Sequence, residues 1–182
     1  MSKPFCILPQ SVVIEDKAYE INTDFRVWAE ICDYIESDKF SYEEKILKLL
    51  CDAYTRELPP YLDSALDALL DFMMQGKRGE SSEGGARVMD FSTDQGMIYA
   101  SFMQQYGIDL YKAELHWWSF INLLNALDEN TAFMKIVGFR GMNCETIKNK
   151  ELKRYYRRMK EKYRLCGNVS DEKIASALEG VM

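Results

Sequence analysis

Apolar and polar positions alternate near the start of the chain, and the period then lengthens. Ser11-Val12-Val13-Ile14-Glu15 and Ala18-Tyr19-Glu20-Ile21-Asn22 flank Asp16-Lys17, which predicts two short strands around a tight turn. From residue 25 the apolar positions recur every three or four residues. Phe25, Trp28, Ile31, Cys32 and Ile35 make one helical stripe, with Asn22 or Thr23 as its cap and Asp24 in its first turn. Ser41-Tyr42-Glu43-Glu44 is a capping box, and the helix it opens is expected to bury Ile46, Leu47, Leu50, Cys51 and Tyr54. Pro59-Pro60 divides that helix from a third, whose apolar face is Leu62, Leu66, Leu69, Leu70 and Met73.

The pattern stops between Gly76 and Arg87, GKRGESSEGGAR, where four glycines and two serines leave almost nothing to bury. It resumes with a helix capped by Thr93 or Asp94 and stopped at Gly107, then one capped by Asp109 and running through Ala126. Phe133, Ile136, Val137 and Phe139 predict a short helix closed near Gly138–Gly141. Leu152, Tyr155, Tyr156, Met159, Tyr163 and Cys166 share a face of a basic helix that Gly167 ends, and Ser170 to Leu178 predicts a last short one. The expected architecture is mainly α, with an N-terminal β-hairpin followed by a bundle of about six to eight helices. Its parts are 1–75 (hairpin and three helices), a connector at 76–89, and a helical region at 90–182.

Composition adds limits. At 182 residues and 47% apolar the chain can bury a core. Its longest uncharged runs, Gln95–Ile108 and Leu115–Leu127, are 14 and 13 residues, short of the roughly 20 that span a bilayer. No export signal is visible, and five widely spaced cysteines without a C-x-x-C pair suit reduced thiols in the cytoplasm. The net charge of −6 conceals an asymmetry: residues 1–147 carry −11, and residues 148–164 carry +7. An acidic body with one basic segment suggests an acidic partner surface, or contact between parts of the chain itself.

No residue set has the form of an active site, and no cofactor or metal is expected. His116, the only histidine, has neither a second histidine nor a Cys cluster for zinc. Gly76-Lys77-Arg78-Gly79 lacks the spacing of a phosphate loop. The candidate residues are therefore for partner binding. Asp63, Asp67 and Asp71 stand four apart on one helical ridge, as a solvated acidic face or a receiver for a basic helix. Lys153, Arg154, Arg157 and Arg158 line the basic helix opposite its apolar stripe, which leaves nucleic-acid binding through 148–164 as an alternative. Trp117 and Trp118 are adjacent, and two neighbours should not face the same side of a helix, so one is expected at an edge that could anchor a partner. The rest of that block, Ile98, Phe102, Phe120, Leu124 and Leu127, is expected in the core of a helical hairpin.

Several words in this chain resemble those of the gene-product-fifteen family of long-tailed phages infecting Gram-positive bacteria. They are Tyr19–Arg26 (YEINTDFR), Ile98–Leu110 (IYASFMQQYGIDL), Leu115–Phe120 (LHWWSF), Leu123–Leu127 (LLNAL), Phe133–Met142 and Lys153–Leu165 (KRYYRRMKEKYRL). The resemblance implies a non-enzymatic tail assembly chaperone that binds the tape-measure protein and helps recruit tail-tube subunits. It also implies a place in the host cytoplasm and absence from the mature virion. A minor structural tail component is a further alternative, and self-association is left open.

Overall fold

The computed structural model describes residues 7–77 and 87–165. Most of the connector, Cys166, Gly167 and the expected helix at 170–178 lie outside the described residues. Within them are a two-stranded antiparallel hairpin and seven α-helices, in the order β1 (Ser11–Ile14), β2 (Lys17–Glu20), α1 (Phe25–Glu36), α2 (Tyr42–Ala53), α3 (Leu62–Met73), α4 (Phe91–Tyr106), α5 (Trp117–Asn125), α6 (Ala132–Gly141) and α7 (Lys150–Lys162). A 3-10 turn at Cys144–Thr146 precedes α7.

The hairpin forms, but its turn sits one residue earlier than expected. Ile14 pairs with Lys17, so the loop is Glu15-Asp16, with φ of +47° and +63°. Two left-handed residues match the twist of a two-residue hairpin, and Asp16 is of a type that tolerates that region. Val12, Ile14 and Tyr19 then point inward while Val13 faces out. Asn22 N–H donates to the Ala53 carbonyl, and Ile21 bridges Tyr54, fastening the hairpin to the end of α2.

Helix α1 is the centre of the packing, touching α2, α4 and α5. Its cap is Asp24, which accepts from Arg26 N–H, while Asn22 serves one step earlier by accepting from Asp24 N–H. Phe25, Trp28 and Ile31 are buried as the stripe predicts, and Trp28 and Ile31 are wholly inaccessible. Burial pushes the Cys32 thiol up to about 12, so it packs as a small apolar group. The capping box of α2 is present. Its buried face is rotated from the expected one, with Leu49, Leu50 and Ala53 inside and Leu47 and Cys51 exposed. The helix ends at Ala53, which frees Tyr54 to bridge the hairpin and donate its hydroxyl to the Ala65 carbonyl of α3. In α3 the inside residues are Ala65, Leu69 and Phe72, and Leu62 faces solvent.

Helix α4 starts at the Asp90 cap, not at Thr93 or Asp94. A second carboxylate, Asp33 of α1, accepts from Phe91 and Ser92 N–H, so one helix caps another. Gly107, at φ +67°, closes α4 in the left-handed conformation. Asp109 caps no long helix; it holds a turn, and α5 begins at Trp117. Ile98, Phe102, Trp117, Phe120, Leu124 and Leu127 are all buried. Phe120 stacks between Phe25 at 4.5 Å and Phe102 at 5.3 Å, so α4 and α5 meet around α1. One continuous core runs from Val12 to Phe133, and residues on both sides of the connector share it.

Candidate functional site

The aromatic block is built as a joint. His116 is the N-cap of α5, and its Nδ1 accepts from Trp118 N–H at 3.0 Å. Its Nε2 lies 2.9 Å from the Pro9 carbonyl, which can only accept. The ring is therefore neutral, with its proton on Nε2. The two indoles behave alike. Trp117 Nε1 donates to the Met73 carbonyl at 2.9 Å, and Trp118 Nε1 to the Phe72 carbonyl at 2.7 Å. Those carbonyls end α3, where helix carbonyls lack N–H donors four residues on, so the tryptophan pair closes α3. This corrects the expectation that adjacent tryptophans diverge. In the first turn of α5 both rings reach back to consecutive carbonyls. Trp117 is 3% exposed and Trp118 half-buried against Phe72 and His116.

The acidic ridge lies beside a groove. Asp63, Asp67 and Asp71 are all exposed along α3. Asp63 and Asp67 edge a hollow of about 470 Å³ between α2 and α3. Ile46, Leu49, Leu66 and Leu70 floor it, Ile35 closes one end, and Tyr42 and Lys45 stand on the α2 side. Tyr42 is 74% exposed at its mouth. Sequence periodicity assigned Ile46, Leu66 and Leu70 to the core, and they are half-buried because no further element among the described residues covers them. Both α2 and α3 carry more apolar residues than the core takes, and that excess was the available signal.

Helix α7 divides the predicted basic residues. Lys153 and Arg157 both bond to Glu145, at 2.8 and 2.7 Å, and these cations hold the Glu145 carboxyl down to about 2. Lys160 donates to the Met142 carbonyl. Arg154 and Arg158 are exposed and pair with no acid among the described residues. The expected apolar face is also shifted. Tyr156, Met159 and Tyr163 are half-buried, but Leu152 is 48% and Tyr155 42% exposed, and α7 buries no residue fully. Its aromatic contacts converge on Phe139 of α6, which stacks on Tyr163 at 5.9 Å.

A buried ion pair, which the sequence reading did not assign, joins these regions. Asp94 of α4 and Arg140 of α6 form two bonds of 2.6 and 2.9 Å at 3% and 7% side-chain exposure. Arg140 also donates to the Tyr163 and Val88 carbonyls. The signal was spacing: Asp94 lies four residues before Ile98, and Arg140 four after Ile136, so both sit on buried stripes. Charges there need a partner. Among the described residues no group of three or more His, Cys, Asp or Glu could hold a metal ion, and no helix is long and apolar enough to cross a membrane.

The family model of the Bacteriophage Gp15 protein matches residues 7–165. The chain belongs to that family. The match runs from the residues just before the hairpin to the end of α7, so this Gp15 fold is the described one: hairpin, seven helices and a single shared core. No curated protein and no solved structure matches the chain.

Proposed function

We propose that this Gp15-family protein is a tail assembly chaperone, which covers helices of the tape-measure protein and helps recruit tail-tube subunits. The observation that carries the reading is the groove between α2 and α3, left open by the described residues, in a phage protein of this family. An amphipathic helix lays its apolar side into such a groove, with its flanks on the polar rim. A groove this open holds one helix weakly, which suits a cover that tube subunits must displace, and repeated sites along a long client supply avidity. No reaction is part of the reading. The protein works in the host cytoplasm and leaves before the virion is complete.

The test is co-expression. The tape-measure protein should move from the insoluble to the soluble fraction with the wild-type chain, and much less with Leu66→Asp, which puts a charge on the groove floor. Equal insolubility with and without the wild-type chain would sink the proposal. The nucleic-acid reading through 148–164 has less support, because Lys153 and Arg157 are engaged by Glu145, Lys160 by the Met142 carbonyl and Arg164 by Glu161, which leaves Arg154 and Arg158 as exposed cations with no acid among the described residues.

A further inference from the structure

We infer that the outer edge of β1 pairs with the same edge of a second copy, which joins the two hairpins into one four-stranded antiparallel sheet. The register within the hairpin decides which backbone groups face outward. Ile14 and Lys17 flank the two-residue turn and exchange hydrogen bonds across it. Alternate pairs follow, with Val12 on Tyr19 and the Ile21 N–H on the Gln10 carbonyl. Ser11 and Val13 fall on the intervening pairs, so their N–H and C=O groups point away from β2. Among the described residues none of these four groups has a hydrogen-bond partner.

The two edges of the hairpin differ. On β2 the Glu20 carbonyl already accepts from the Thr55 N–H, and the Lys17 and Glu20 side chains are held by Glu57 and Arg56. Charged side chains and a covering segment of chain are common guards of a sheet edge. β1 has neither. Its sequence, Ser-Val-Val-Ile, carries no charge, and Val13 is 67% exposed. An unguarded run of β-branched residues on an open edge is a template for another strand.

A second copy is the occupant because this edge is its own complement. With Val12 opposite Val12 across a two-fold axis, Ser11 of each copy lies opposite Val13 of the other, and each such pair exchanges two bonds. All the outward groups of both strands are then satisfied. Val12 and Ile14 keep their places in the core, and the two cores lie on the same side of the joined sheet. The charges agree as well. In that register Ile14 meets Gln10 and Glu15 meets Pro9, so no carboxylate faces another across the pair. The contact is isologous and closes at two copies. A contact limited to one four-residue strand is smaller than the roughly 1,200 Å² of a stable interface, so the dimer is weak and forms at high concentration. The inference does not depend on the client. If the groove between α2 and α3 does take client helices, the dimer offers a long client two grooves at once.

Sedimentation velocity of the 182-residue chain, from about 10 µM to about 1 mM, tests it together with amide exchange followed by NMR. The wild type should move from monomer towards dimer over that range and no further. The Ser11 and Val13 amides should exchange at least about threefold more slowly in the concentrated sample. The Ala18 amide, which faces out from β2, should not change. Val13→Pro removes an N–H that the hairpin does not use, on an edge where proline is tolerated, and should stay monomeric at about 1 mM. Val13→Lys keeps the N–H but puts a charge on the edge, and should associate at least about tenfold more weakly. Val13→Thr should associate like the wild type. Backbone groups carry the contact, so about 0.5 M salt should leave it in place. A wild type that stays monomeric at about 1 mM overturns the inference, as does growth beyond a dimer. A dimer that salt dissociates, that leaves the Ser11 and Val13 amides unprotected, or that survives both Val13→Pro and Val13→Lys also overturns it.

Discussion

Helices α5 and α7 both join the protein through polar atoms as well as rings, but the polar atoms differ in kind. At α5 the joint is made by neutral donors aimed at backbone carbonyls: Trp117 and Trp118 to the end of α3, and His116 to Pro9. Trp117 and Phe120 are buried beside them. At α7 the joint is made by Lys153, Arg157 and Glu145, with side chains 25%, 58% and 70% exposed. Neutral bonds inside a ring cluster are insensitive to salt, whereas exposed ion pairs are weak and screened. The aromatic block ties α5 to α3 from inside, and the charged helix is held by more exposed contacts.

Arg140→Ala gives the largest expected effect, because Arg140 ties α6 both to buried Asp94 of α4 and to the end of α7. It would leave Asp94 buried without its cation and cut the tie to the Tyr163 carbonyl. Breaking a buried pair on one side costs about 3–5 kcal/mol, and denaturant unfolding should show that loss. Arg140→Lys should recover part of it, since the charge remains but the two-pronged geometry goes. If Arg140→Ala shifts the midpoint by no more than an exposed substitution does, the end of α7 is not held to the core through this pair.

Trp118→Phe should cost less, about 1 kcal/mol, the net worth of one hydrogen bond to the Phe72 carbonyl. The ring contact with Phe72 would remain. The loss should be the same at low and high salt, which an anchoring role in ionic contacts would not predict. A strongly salt-dependent change would blur the division between the two joints.

The contrast also explains what could be read from the sequence. The hairpin, the α1 stripe, the capping box and the buried set from Ile98 to Leu127 follow from period and cap chemistry, which are local. The errors fall where tertiary partners decide. Helix α2 turned its face because Tyr54 leaves the helix for Ile21. Helix α4 begins at Asp90 with help from Asp33, a residue 57 positions earlier. The segment after Asp109 stays irregular as far as His116, where Thr23 and Leu115 exchange backbone bonds with Trp117 and Phe25. The acidic and basic rows were legible as rows. That the first borders an open groove, and that half of the second is spent on Glu145, required the fold.

The smallest effect should come from acid, and it isolates the α7 joint. Lys153 and Arg157 hold Glu145 at about 2 in the folded chain, against an ordinary value of 4.5. A carboxyl lowered by folding stabilises above its ordinary value and loses that contribution as pH falls through its folded value. The α7 joint should thus be fully formed above about 4.5 and loosen towards about 2. The ring resonances of Tyr163 and Phe139, followed by NMR from pH 5 downward, should shift over that window in the wild type. Glu145→Gln should remove the shift specific to the window, because glutamine neither titrates nor carries the charge that both cations share. The Trp117 and Trp118 indole resonances should respond alike in the two proteins, since neutral donors on carbonyls hold that joint. Tyr163 shifts that are identical with and without Glu145 would mean α7 is held by Phe139 and Arg140 alone, and the charged helix would then be as fixed as the aromatic block.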